Sequence, residues 1–407
     1  MTKSQYFILI LILGLLSTIS PFSIDMYLPG FPSIAKDLNS TIDRVQLSLT
    51  SYFIGISLGQ LVYGPLLDRF GRKRPLYIGL LIYVVASVGC AYTNSVEQLI
   101  FMRLVQAVGG CAGMVAAQAL VRDLFPVEKT AQAFAMLVLV IAISPMIAPT
   151  LGGYMVASYG WHSVFLVLGG ITAFILVAAF FALPEGQLAD RSLSLKPKAV
   201  AKAYWTVLNN KQFAVYGFAG GIATSAPFAY IAGSSDVFMN IYQVSEKQYG
   251  WIFAILAFAM IGSTQLNHIL LKYYSNKQVM KVAISYQVVT GILMVGGVML
   301  GIINMYMLIA LLFIFLTGHG LSNPNASALT LAPFTKNAGS ASALMGAIRM
   351  GLGGLVSALV SVLHNGTTLP MVLVMAFCAA GGLIILLAGD GKKRSPKKEK
   401  LSDSYGQ

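Results

Sequence analysis

Apolar stretches of membrane-spanning length alternate with short polar interruptions along almost the whole chain. A spanning helix needs about 20 mostly apolar residues. Segments of that kind fall at 6–31, 46–67, 75–93, 97–121, 130–156, 161–183, 211–234, 248–270, 278–301, 304–331, 338–363 and 368–388. The longest interruption, 184–210, carries Arg191, Lys196, Lys198 and Lys202 and divides the helices six and six. The pattern predicts an all-α membrane protein with twelve transmembrane helices in two pseudo-symmetric six-helix bundles. The bundles span 1–183 and 211–389, joined by the linker 184–210 and followed by a basic tail at 390–407. A weak internal repeat agrees: the basic loop Lys272 to Lys277 occupies the place in the second bundle that Gly64 to Arg74 occupies in the first. Lys3 followed by the run Phe7 to Leu16 has the outline of a signal peptide. No small-x-small cleavage site follows and apolar character resumes at Met26, so a first membrane helix is expected.

Composition supports this picture. The chain is 57% hydrophobic and 10% charged, against roughly 45–50% and about 25% in soluble domains. The net charge of +13 does not form a basic face with interleaved aromatics, so nucleic acid is not an expected partner. Its bases lie in loops and tail and set orientation. Of the 27 Lys and Arg, only Lys36, Arg44 and Lys247 fall on the outer side, and only Arg103 and Arg349 inside spans. Both termini are therefore expected to be cytoplasmic. Cys90, Cys111 and Cys378 lie in apolar runs without metal-ligand spacing and read as small buried hydrophobes. The chain lacks a clustered His, Cys or carboxylate constellation for enzyme chemistry, and a Gly-rich nucleotide loop. No metal or cofactor is expected.

The loop Gly64-Pro65-Leu66-Leu67-Asp68-Arg69-Phe70-Gly71-Arg72-Lys73 resembles the 2–3 loop signature of the major facilitator superfamily, G-x-L-x-D-R-x-G-R-K. Arg103 followed by Gln106 resembles its helix 4 signature. Ala148-Pro149-Thr150-Leu151-Gly152-Gly153 resembles the antiporter signature G-P-x-x-G-G, with Ala148 in place of the first Gly. Ser23-Ile24-Asp25-Met26-Tyr27-Leu28-Pro29, Tyr63-Gly64-Pro65 and Ala338 to Leu344 narrow the resemblance to the bicyclomycin-resistance (Bcr/CflA) branch of bacterial drug:proton antiporters. The resemblance spans all twelve segments. It implies export of small amphipathic compounds by alternating access, driven by the proton gradient, in a monomer of the bacterial inner membrane. A major facilitator importer or facilitator of a metabolite would share the fold.

Ionisable groups inside a bilayer are costly and are functional candidates. Asp25 lies about six residues, or ~9 Å, from the outer end of a helix that closes near Phe31. Arg103 enters helix 4 to a similar depth, so an Asp25–Arg103 pair is expected, for proton coupling or as a structural tie between helices 1 and 4. Displacing Arg103 would let Asp25 take a proton. One charge moved through 100 mV is worth roughly 2.3 kcal/mol, or about a 50-fold gradient. Some relatives carry a second acid two turns earlier; here that position is Ser17. Arg349, ~18 Å into helix 11, is either a substrate contact or a structural anchor. His319 sits beside Asn323 and Asn325 as either a titrating or a packing residue. Asp236 reads as a water-exposed helix end or a rim site for cations.

Family geometry places Tyr27, Tyr52, Gln106, Met114, Phe228, Tyr230, His319, Asn323 and Arg349 around a substrate cavity. Arg103, Gln106, Gly110, Gly113 and Ala117 form one helix stripe, and Gly339, Ala343, Ala347 and Gly351 another. Small residues on such stripes permit close helix approach. Pro145, Pro149, Gly152 and Gly153 give helix 5 a kinked, small-faced profile, and the resemblance implies a seal against proton leak there. Gly64, Asp68, Arg69, Gly71, Arg72 and Arg122 form the expected cytoplasmic gate, with Asp68 approaching the start of helix 11.

Overall fold

The computed structural model describes residues 3–186, 189–190, 195–334 and 338–390. The expected basic tail, Arg191 and Lys336 lie outside the described residues. The first half contains α1 (Lys3–Asp25), α2 (Phe31–Asp37), α3 (Ile42–Phe70), α4 (Lys73–Ala91), α5 (Val96–Leu124), α6 (Val127–Tyr159) and α7 (Trp161–Ala182). A linker helix, α8 (Pro197–Leu208), follows. The second half contains α9 (Lys211–Ala223), α10 (Ala226–Ser235), α11 (Glu246–Leu270), α12 (Asn276–Met299), α13 (Met305–Leu331), α14 (Ala338–Val362) and α15 (Leu369–Asp390). The end at which α1 begins is called inner below, and the opposite end outer.

Eleven of these segments are each long and apolar enough to cross a membrane. The remaining crossing, the seventh in chain order, is broken into α9, α10 and the π-helical turn Asp236–Ile241. Its interruption has a local cause. Pro227 supplies no amide hydrogen, and the Thr224 and Ser225 hydroxyls donate to the carbonyls of Gly220 and Ile222. Helix starts follow from sequence: Ser245 with Gln248 and Ser275 with Gln278 form capping boxes at α11 and α12.

The two halves repeat one packing scheme. Contacts of α3 with α5, α4 with α5 and α4 with α7 recur as α11 with α13, α12 with α13 and α12 with α15. The halves meet where α3 runs along α14 and α6 along α11.

The first crossing differs from the expected single helix to Phe31. It stops at Asp25, and a 3₁₀ turn at Leu28–Gly30 leads into α2. Pro29 cannot donate a helical hydrogen bond, and the chain passes close to α6. A Cβ at Gly152 would run into the Met26 carbonyl, so only glycine admits this turn. Gly153 and Gly250 make the same kind of approach between α6 and α11, against the Glu246 carbonyl and the backbone of Pro149 and Thr150. Further along the outer face, Thr50 donates to Ser357 at 2.9 Å and Ser361 to Gln46 at 3.2 Å. These contacts close the outer end between the halves.

At the inner end the two halves leave space between them. A cavity of about 530 Å³ lies among the ends of α3 and α5, the linker and the start of α14. Pro65 breaks the rungs of α3 here, leaving the Leu61 carbonyl without its helical donor. Tyr204 of α8 donates its hydroxyl to that carbonyl at 2.9 Å. Burial, with Asp68 nearby, pushes the Tyr204 phenol up. The other face of α8 packs through Val207 against Phe213, Ala341 and Leu344.

Candidate functional site

Arg103 is the largest fully buried side chain among the described residues. It lies at the outer part of α5, on the stripe that faces α1, where Gly113 admits the Leu16 carbonyl and Gly110 approaches Ser20 and Tyr83. Its Nη1 donates to Gln106 Oε1 at 2.6 Å and its Nη2 to the Ser23 carbonyl at 2.9 Å. Gln106 passes the network on to Ser87 Oγ at 2.7 Å. The guanidinium carbon sits 4.2 Å from the Tyr27 ring centre and 4.1 Å from that of Tyr52. A desolvated cation between two aromatic faces gains about 2 kcal/mol or more.

The expected Asp25–Arg103 ion pair is absent among the described residues. Arg103 is occupied by Gln106, Ser23 and the two rings, and no described group hydrogen-bonds or ion-pairs with the Asp25 carboxylate. Asp25 is buried at the last position of α1, and the phenols of Tyr230 and Tyr249 in the second half lie within its electrostatic reach. The two charges share depth but not direction. Ser17, two turns earlier, is buried and donates to the Leu13 carbonyl at 2.9 Å.

Several expected cavity residues are closed off in this conformation. Tyr27, Tyr52 and Gln106 are buried around Arg103 because they are its partners. Tyr230 is buried and stacks on Phe253 with ring centres 5.3 Å apart. Met114 and Phe228 stay partly accessible, with Phe228 against Phe53 at 4.7 Å across the two halves. His319, Asn323 and Arg349 also keep partial accessibility at mid-membrane depth. A charged arginine at that depth costs roughly 2.5–3.5 kcal/mol on insertion scales unless it is solvated or paired.

The inner gate differs in detail from expectation. Gly71 ends α3 at φ 81, a left-handed position that favours glycine. Arg72, the residue after it, donates to Asp68 Oδ1 at 2.5 Å and to Asp123 Oδ2 at 2.7 Å. Burial opposes its charge, yet the two carboxylates outweigh that and push the Arg72 guanidinium up. Asp68 and Arg122 line the inner cavity together with Gly339 and Ser340 at the start of α14. Arg69 lies over Phe70 at 5.9 Å. Gly64 has open space around it. Asp123 was not singled out from sequence; its signal was an acid beside Arg122 in the last turn of a membrane helix.

The small stripe of α14 divides. Gly339 and Ala343 line the inner cavity, while Ala347 accepts from Ser57 and Gly351 abuts it, packing on α3. Pro145 and Pro149 lie inside α6, and Gly152 and Gly153 seat α1 and α11 upon it. Asp236 is not a water-exposed helix end. The π turn buries it, with 8% of its side chain accessible, and it bonds His364 and Asn240, each at 2.8 Å.

Two halves of matching packing, in contact at the outer end and with a cavity between them at the inner end, have the architecture of a membrane transporter. The chain belongs to the Major Facilitator Superfamily, whose pattern matches residues 13–358. It is 31% identical over 376 residues to a bicyclomycin resistance protein homolog of Haemophilus influenzae, covering 92% of this chain and 94% of that protein. A chloramphenicol resistance protein of Pseudomonas aeruginosa is 28% identical, with 93% and 88% covered. The multidrug transporter MdfA of Yersinia pestis is 28% identical, with 80% of each chain covered. Among solved structures, the nucleoside transporter NupG superposes with a TM-score of 0.72 at 13% identity, over 95% of this chain and all 100% of that one. An inward-facing bacterial homolog of the lysosomal transporter Spinster gives 0.70 at 14%, over 96% of each.

Proposed function

We propose that this transporter exports small amphipathic compounds across the bacterial inner membrane in exchange for protons, as a monomer with both termini cytoplasmic. The observation that carries the reading is Asp25: a buried carboxylate, without a protein partner among the described residues, at the break in the first crossing and between the halves. A carboxylate so placed is costly when charged and unpaired. It is relieved by a proton or by a bound substrate, and the two then compete for it. The curated relatives named for drug resistance supply the substrate class. The closed outer contacts and the open inner cavity match one end of an alternating-access cycle. In the other state, the Arg72 cluster with Asp68 and Asp123 would close the inner end against α14.

Asp25→Asn tests the proton step. In everted vesicles loaded with a pH-sensitive dye, addition of an exported drug releases protons from wild type. The variant is expected to lose that release entirely while the protein still inserts. Release at the wild-type rate would remove Asp25 from the mechanism.

A further inference from the structure

Three polar side chains in the second half converge, with a single long hydrogen bond described for them. His319 and Asn323 are one turn apart on α13, hence on one face. Arg349 reaches them from α14, with His319 within electrostatic range of its guanidinium. Its single described hydrogen bond is a long one, from Nη2 to the Asn323 carbonyl at 3.4 Å. That carbonyl is already taken by Ser327 at 2.8 Å. The Arg349 Nε and the His319 Nδ1 are buried without a hydrogen-bond partner among the described residues. The Asn323 side-chain amide has none among the described residues either. Its neighbour Asn325 turns the other way and donates to Asn267 at 2.7 Å, so the local packing can satisfy an amide where it needs to.

No described carboxylate lies within ion-pair distance of Arg349. The site holds a fixed positive charge, donor groups on two helices and partial accessibility. Buried polar groups are ordinarily satisfied, and an unsatisfied set with one sign of charge is complementary to a ligand of the other sign. A guanidinium fork matches the two oxygens of a carboxylate, and an amide beside it adds a further donor.

We infer that Arg349, His319 and Asn323 form an anion-binding subsite that holds the carboxylate, or a comparable oxyanion, of an amphipathic substrate. The assignment rests on the export reading above and extends its substrate class to compounds carrying an acidic group.

The test uses nalidixate, a planar aromatic carboxylate, and its uncharged methyl ester, with the purified full chain in nanodiscs. Calorimetry on wild type is expected to give the carboxylate about tenfold tighter binding than the ester. Arg349→Gln removes the preference and leaves the ester affinity unchanged, and Arg349→Lys restores part of it. Equal wild-type affinity for the two compounds overturns the subsite, whatever the variants do. So does an Arg349→Gln protein that keeps the full preference. Drug accumulation in cells separates this from the broader reading. Export of neutral drugs alongside equal binding of acid and ester sinks the subsite alone. Tight carboxylate binding without export of any drug sinks the export reading alone.

Discussion

The two halves each bury an arginine in a crossing helix, and the protein treats them differently. Arg103 is held internally: two aromatic faces, a glutamine and a backbone carbonyl surround it, only its Nε lacks a described hydrogen-bond partner, and none of it reaches solvent. Arg349 has one long bond to an already occupied carbonyl. Neither meets a carboxylate among the described residues. An arginine solvated by its own fold is a fixed part of the scaffold around α1, α3 and α5. One left incomplete keeps its binding capacity for something that arrives. The same costly residue thus serves rigidity in one half and recognition in the other.

The largest expected effect is on the completed arginine. Arg103→Ala removes both ring contacts and takes the Arg103 donors from Gln106 Oε1 and the Ser23 carbonyl. The expected cost is about 3 kcal/mol, with export falling to background. A thermal-shift measurement in detergent that finds no loss of stability would break the contrast. Next comes an attempt to make Arg349 resemble Arg103. Asn323→Asp supplies an internal counter-charge, and calorimetry should show carboxylate affinity falling about tenfold with ester affinity retained. Unaltered carboxylate binding would mean that Arg349 is not the recognising group. The smallest effect is expected from Tyr27→Phe, which keeps the ring over Arg103 and deletes only the 3.0 Å hydrogen bond to Ser48. The change in stability should stay at about 1 kcal/mol. A loss as large as that of Arg103→Ala would show that the hydroxyl, not the ring face, matters.

Much of this was readable from sequence, within a definite limit. Hydropathy fixes which residues lie at which depth, so Asp25, Arg103 and Arg349 were found as intramembrane charges. Depth does not fix direction around the helix axis. Asp25 and Arg103 were therefore expected to pair, yet the break before Pro29 leaves Asp25 within reach of Tyr230 and Tyr249. Aromatic residues near a charge read equally well as cavity lining or as cation partners, and Tyr27 and Tyr52 proved to be the latter. The seventh crossing looked continuous because its apolar run is unbroken; Pro227 and the hydroxyls before it interrupt the helix without a change in hydropathy. Asp236 looked exposed because it ends an apolar run, but the π turn folds it back onto His364.

The hydrogen bond from Tyr204 to Leu61 carries one more consequence. Proline at position 65 leaves α3 a ladder with a missing rung, and the linker between the halves supplies the replacement. A rung made by a backbone amide belongs to its helix permanently. One made by a borrowed hydroxyl can be withdrawn when the lender moves. The bending stiffness of the helix that runs along the opposite half is thereby placed under the control of the segment that joins the two.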